Sequence, residues 1–318
     1  MNSGTPHARY KDVIAVLIVF SSPLFIACIW YHGTAPDGSA KRYEPIFLNS
    51  LLVTTHSDEI SDMYGEIIAS DNRTWEKKAK ELQSLSNPRS RNDYAASLIY
   101  LGRYEEAIQI LLALDKDSED KSYAVASNLG TAYELSGNNG EALKWIEEGI
   151  SRDAESHFGT EWLHKAILKA KIEKRDAVFG LTDPFDFGVP KPLAIDGVSY
   201  EPKEVLRAIV YQTAERAAFV KPKDPLIADL FATAGNIAAN EMALEPAIAF
   251  FELASIYGHP RAKEIENWIP KTRKDIEEAA RMRAIKRNLM WGAGIASVVL
   301  VIAAWIYFKR AGRSSAGA

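Results

Sequence analysis

The sequence predicts an all-α protein: a helix–turn–helix solenoid with an irregular insert, a C-terminal transmembrane helix and an N-terminal hydrophobic helix. Three observations carry that prediction. Two central segments repeat each other at an offset of 35 residues, and two long apolar runs near the ends carry no charge. One stretch rich in Pro and Gly interrupts an otherwise helix-periodic chain. A chain of 318 residues, 47% hydrophobic and 25% charged, is long enough to bury a substantial core. Thirty-eight basic residues against 42 acidic ones, with a pI near 5.9, argue against a nucleic-acid partner. The single cysteine, Cys28, excludes an internal disulfide framework.

From the N-terminus, residues 1–12 form a basic segment and 13–30 a signal peptide or membrane anchor. Val13–Trp30 is free of charge and follows Arg9 and Lys11. Three readings stay open: an uncleaved anchor, a secretory signal cut near Gly38-Ser39-Ala40, and a lipidation box at Phe25–Cys28. At the other end, Leu289–Phe308 offers 20 uncharged residues. At 1.5 Å per residue that length matches the roughly 30 Å hydrocarbon core of a bilayer. Trp291, Trp305 and Tyr307 stand where aromatic rings favour the headgroup level. Seven basic residues in 271–287 precede this span, while Lys309, Arg310 and Arg313 follow it. The positive-inside count places the body in the cytoplasm, whereas an export-type first segment with a short basic tail places it outside. The second arrangement, with the body on the periplasmic side and both ends inside, is the expectation.

The repeat is read from residues 94–114 and 129–150, which align Gly102 with Gly137, Glu106 with Glu141 and Ala107 with Ala142. A third copy at 228–261 carries Phe231, Ala234-Gly235, Ala247, Phe251 and Ala254 in the same large–small pattern. Small residues such as Ala107, Gly130 and Ala142 let helices approach, while Leu129, Tyr133 and Phe251 fill the space between them. Gly102 and Gly137 fall at the end of a first helix, where a left-handed residue is needed. The period and these residues resemble the tetratricopeptide repeat, and the Tyr257-Gly258-His259-Pro260 ending resembles the related Sel1-type repeat. Residues 44–260 as a whole are similar to bacterial repeat-containing membrane or exported proteins. The resemblance implies stacked helix pairs, a concave groove and a peptide or protein partner, with no cofactor.

Around the repeats, residues 31–87 read as a linker and N-terminal capping helices, with one helix through Tyr64, Ile67, Ile68, Trp75, Ala79 and Leu82. The tandem repeats and a following helix occupy 88–175; that helix, at 158–174, starts at Thr160 as N-cap. Residues 176–202 form the Pro/Gly-rich insert, and 203–265 a helix followed by the third repeat. A basic juxtamembrane helix at 266–288 leads into the span at 289–308 and a short basic tail at 309–318. In that helix Glu277 and Glu278 are spaced to pair with Arg281 and Arg283.

Chemistry is sparse. The six histidines include His157 and His164, which flank Glu161 at i, i+4 and i+7. Two imidazoles and a carboxylate suit zinc, but a helix that begins at Thr160 separates His157 from the other two. Loop and surface positions are therefore expected for the histidines, with no metal. No nucleophile elbow, phosphate loop or H-E-x-x-H occurs, and Asp115–Asp120 reads as a solvated turn. A ligand- or metal-binding module in the 176–202 insert is kept as an alternative. The candidate groove residues are Arg91, Ser97, Asn128, Thr131, Asn236 and Asn240. Gly292 and Ala296 form a small-x-x-x-small pair that can seat a second copy of the span, and the basic stretch can meet membrane lipids. An alkaline phosphatase fusion at Asp115 should be active and one at Ala318 inactive in cells; the reverse pattern places the body in the cytoplasm.

Overall fold

A computed structural model describes residues 32–34, 40–42, 57–69, 72–117, 121–179 and 192–314. The N-terminal run 13–30, Cys28, His7, His56 and the centre of the insert lie outside the described residues. Eleven α-helices occur among the described residues: α1 Ser57–Ala69, α2 Arg73–Leu82, α3 Pro88–Tyr100, α4 Tyr104–Asp117, α5 Tyr123–Leu135, α6 Asn139–Arg152, α7 Glu161–Ile172, α8 Pro202–Ala217, α9 Pro225–Glu241, α10 Leu244–Ile256 and α11 Ala262–Ser314. The all-α expectation needs a small correction. Two antiparallel ribbons are present, β1 His32–Thr34 with β2 Ala40–Arg42, and β3 Leu193–Ile195 with β4 Val198–Tyr200. The second turns at Asp196-Gly197, where both residues have positive φ.

Three helix hairpins (α3/α4, α5/α6 and α9/α10) arise from the same local chemistry. The first helices α3 and α5 end at glycines with φ of +74° (Gly102) and +89° (Gly137), and in the third hairpin such a glycine follows the second helix α10 instead (Gly258, +87°), a region that only glycine enters without strain. Asn87, Asn138 and Asp224 accept from backbone N–H groups of the turns they open. Pro88 and Pro225 stand in the first turn, where the missing N–H is harmless.

Close helix contact rests on small residues. A Cβ on Gly130 would sit 2.4 Å from the Ile146 side chain, and one on Gly235 would sit 2.8 Å from the Phe251 ring. Ala107, Leu129, Ala142, Ala247, Phe251 and Ala254 are fully buried, and Tyr133 is half-buried. One core cluster joins α3, α4 and α5 through Leu98, Leu111 and Leu129. A larger one joins α1, α7, α8, α9, α10 and the start of α11.

The capping region differs from the expectation of one helix. It forms α1 and α2, which go to different places. Trp75 of α2 stacks on Tyr100 at 3.7 Å. Tyr64 of α1 donates to the Val210 carbonyl and meets Thr213 Oγ1 at 2.7 Å, on α8. The Ile60/Tyr64/Ile67 stripe is thus part of the C-terminal core rather than a cap on the first repeat. Asp115 is likewise no free turn residue, since Arg152 reaches it at 2.7 Å.

The described ends of the insert lie on helix surfaces. The Val178 and Phe179 N–H groups donate to Asp229 on α9, at 2.8 and 3.3 Å. The β3–β4 ribbon rests on α7, with Tyr200 stacked on Trp162 and Asp196 paired to Lys165 and Lys169. α11 runs 53 residues without interruption. Ile265 and Ile269 are buried, and its later apolar stretch is long enough to cross a membrane and, as far as Trp305, exposed.

Gly235→Val should destabilise the protein by about 2–3 kcal/mol through overpacking against Phe251. Gly65→Ala, on an exposed helix face with nothing within 4 Å, should instead add about 0.5–1 kcal/mol. Urea unfolding followed by circular dichroism separates the two.

Candidate functional site

The first helices of successive units, α3 and α5, together with α7, present one common face. α8 lies across it. The cleft between them is lined by Ile99 and Tyr100 of α3, Asn128, Thr131 and Glu134 of α5, His164 of α7, and Gln212, Glu215 and Arg216 of α8. Phe219, just past α8, closes one side with its ring 4.3 Å from Tyr100. The cavity volume is about 40 Å³, room for water-sized occupants, whereas pockets for organic ligands run to about 300–1,000 Å³. A larger depression of about 440 Å³ lies between α1, α10 and α11. Among its rim groups, Ser255 donates to Glu266 and Glu252 is bound by Arg273.

Beneath the cleft runs a chain of buried charges. The Glu134 carboxylate accepts from Arg216 Nη1 at 2.6 Å and Nη2 at 3.0 Å, a bidentate fork. Lys171 Nζ reaches the same carboxylate at 2.7 Å and His164 Nε2 at 2.8 Å. The other nitrogen of His164 faces Glu161 Oε2 at 3.3 Å. Glu161 Oε1 meets His157 Nδ1 at 2.5 Å and accepts from the Tyr123 hydroxyl. Glu215 stands at the end, its Oε1 4.0 Å from His157 Nε2.

Burial alone would raise the Glu134 carboxyl, yet Arg216, His164 and Lys171 together pull it well below the usual carboxylate range. Glu161 behaves alike: desolvation is overcome by the charge and hydrogen bond of His157 and by His164. Burial and Arg216 press His164 down, but hydrogen bonds to Glu134 and Glu161 hold it above its ordinary value. Both imidazole nitrogens point at carboxylates, a geometry that only the doubly protonated ring satisfies. Glu215 is raised, chiefly by burial.

This arrangement corrects the expectation that His157 and His164 lie in loops or on the surface, kept apart by the start of the helix. The helix does start after Thr160, but His157 and Phe158 take positive φ in a short 3₁₀ turn at Ser156–Gly159. That turn swings His157 back over Glu161. Thr160 makes no side-chain cap and donates to the His157 carbonyl at 2.6 Å instead. His259 is buried as well. No group of three or more His, Cys, Asp or Glu among the described residues is placed to hold a metal ion. Lys171 and Arg216 already occupy the Glu134 oxygens.

Of the six predicted groove residues, two reach the cleft. Thr131 lines it half-buried, and Asn128 lines it while donating to Asn92 at 3.1 Å. Arg91 lies outside, its guanidinium 5.4 Å from the Tyr94 ring centre. Ser97 faces its own helix and donates to the Asp93 carbonyl. Asn236 is buried within α9, and Asn240 donates to the Asn236 carbonyl at 3.0 Å; neither lines the cleft. Sequence reasoning missed Glu134, Glu215 and Arg216. A signal existed, since Asn128, Thr131 and Glu134 follow one another at i+3 on the same helix. Gln212, Glu215, Arg216 and Phe219 form a matching stripe on α8.

Arg216→Met should cost about 3–5 kcal/mol, the usual penalty for orphaning a buried partner charge, and Arg216→Lys should recover only part of it. The pH profile follows from the shifts. Glu134 and Glu161 titrate below 4.5 in the fold, so their stabilisation is full above pH 4.5 and lost as pH falls through their depressed values. His164 titrates above 6.5, so its contribution is full below pH 6.5 and lost as pH rises through its raised value. Glu215, raised above 4.5, also loses its contribution as pH rises. Melting temperature of the full-length protein in detergent should peak on the acid side of neutrality, and His164→Gln should flatten the alkaline limb. Comparison with protein-family models, curated proteins and solved structures finds no match to this chain.

Proposed function

We propose that the protein is a membrane-anchored adaptor built from tetratricopeptide-like repeats. α11, and the apolar run at 13–30, would hold it at a bacterial envelope membrane, and its repeat face would dock a peptide or partner protein. The observation that carries this reading is the shared face of α3, α5 and α7. α8 already lies on that face as a helix in a groove, so the surface has the shape and chemistry to receive one. The portion of the cleft next to α3, where Thr131 is only half-buried, would receive a segment from outside. Helical repeats use this concave face for extended partners. The reading assigns no catalysis, and the buried charges serve to hold α8 in place.

A second reading has the protein act through its span as an assembly accessory. The bare surface of the apolar stretch favours it: Trp291, Ile295, Leu300 and Trp305 are all exposed, and nothing lies within 4 Å of a Cβ placed on Gly292. Replacing Leu289–Phe308 with an unrelated span distinguishes the two, because an adaptor acting through its repeats keeps its partners.

A photocrosslinking residue at Arg91 or Thr131 should capture a discrete partner in intact cells, whereas the same residue at Asn240 should not. Equal capture at all three sites, or none at any, overturns the adaptor reading.

A further inference from the structure

α11 carries one group of cations beside the body and a second just before its apolar stretch. In the group nearer the body, Lys263 and Lys271 form no ion pair among the described residues, while Arg273 binds Glu252 at 2.8 Å and Lys274 lies 3.7 Å from Glu278. This corrects the expected pairing of Glu277 and Glu278 with Arg281 and Arg283. Arg281, Arg283, Lys286 and Arg287 are exposed and form no ion pair among the described residues. None of the residues from 279 to 318 is acidic.

The second group sits just before Leu289, where the apolar stretch begins. At 1.5 Å per residue, Arg287 lies about 3 Å and Arg281 about 12 Å along the axis from that residue. Headgroups add roughly 5–7 Å beyond the hydrocarbon on each side, and Lys and Arg side chains extend along such gradients. All four cations therefore reach the phosphate layer. Met282 and Ile285, exposed on the same turns, supply apolar contact at the same depth. We propose that Arg281, Arg283, Lys286 and Arg287 form a collar that binds the headgroups of anionic phospholipids around the base of α11. The collar rests on the reading of α11 as a membrane span. It leaves Ile276, the last residue packed on the body, about 20 Å along the axis from Leu289. The repeat face is thereby held at a set height above a negatively charged leaflet.

The test uses the full chain reconstituted in phosphatidylcholine vesicles containing spin-labelled phosphatidylglycerol or spin-labelled phosphatidylcholine. Electron spin resonance then reports the lipid held at the protein surface. Phosphatidylglycerol should be enriched about threefold over phosphatidylcholine, and 0.5 M salt should reduce the enrichment, because screening at that ionic strength acts over a few ångströms. The variant R281Q/R283Q/K286Q/R287Q should lose at least half of the selectivity, while R273Q/K274Q should keep it. Equal selectivity in wild type and the fourfold variant, or equal loss in both variants, overturns the collar with the span intact. Protein that is released from vesicles by alkaline carbonate overturns the span and the collar together.

Discussion

The fork between Arg216 and Glu134 is the interaction on which the arrangement of the body depends. It joins residues 82 positions apart and lies almost out of solvent. Two charges taken from water are tolerated only when each is paired and hydrogen-bonded. Here the pairing continues: Lys171 and His164 share the Glu134 carboxylate, and His164 hands on to Glu161. Removing Glu134 strands the buried Arg216 charge in the interior, and removing Arg216 takes the bidentate partner from Glu134. The network therefore ties α8 to the face of α5 and α7.

That seating turns three separate hairpins into one body. The α3–α5 cluster and the C-terminal cluster are distinct apolar cores. Ala142, Ile146 and Leu168 connect α6 to α7 on one side, and the buried charges connect α5 and α7 to α8 on the other. α1 adds a third tie by crossing to α8 and α10, so sequence neighbours α1 and α2 serve opposite parts of the molecule. A helical stack of this kind has stability that is nearly a sum of neighbour contacts; these non-local links make it more cooperative than an open array.

The polarity of α11 follows the same logic of charge and solvent. Near the body Arg273 and Lys274 find carboxylates; from Arg281 to Arg287 the cations find none among the described residues, and the chain then becomes apolar. A single unbroken helix joins the last hairpin to the apolar stretch, so the orientation of the helical body is coupled to that of α11. The proposed adaptor role would gain from this coupling, because a rigid mount presents a docking surface in one orientation and lowers the entropy lost on binding.

The sequence by itself determined the local elements: helix ends at Gly102 and Gly137, close contacts at Gly130 and Gly235, and an apolar stretch at Leu289–Phe308. Each depends on residues within a few positions of one another, so periodicity and turn chemistry make them legible. It also placed Asn128 and Thr131 on the face that became the cleft. Only the tertiary structure decided that Glu134 meets Arg216, that the 3₁₀ turn returns His157 to Glu161, and that Tyr64 serves α8. Those pairings join stripes on different helices, and spacing along one helix says which residues share a face but not which face they will meet.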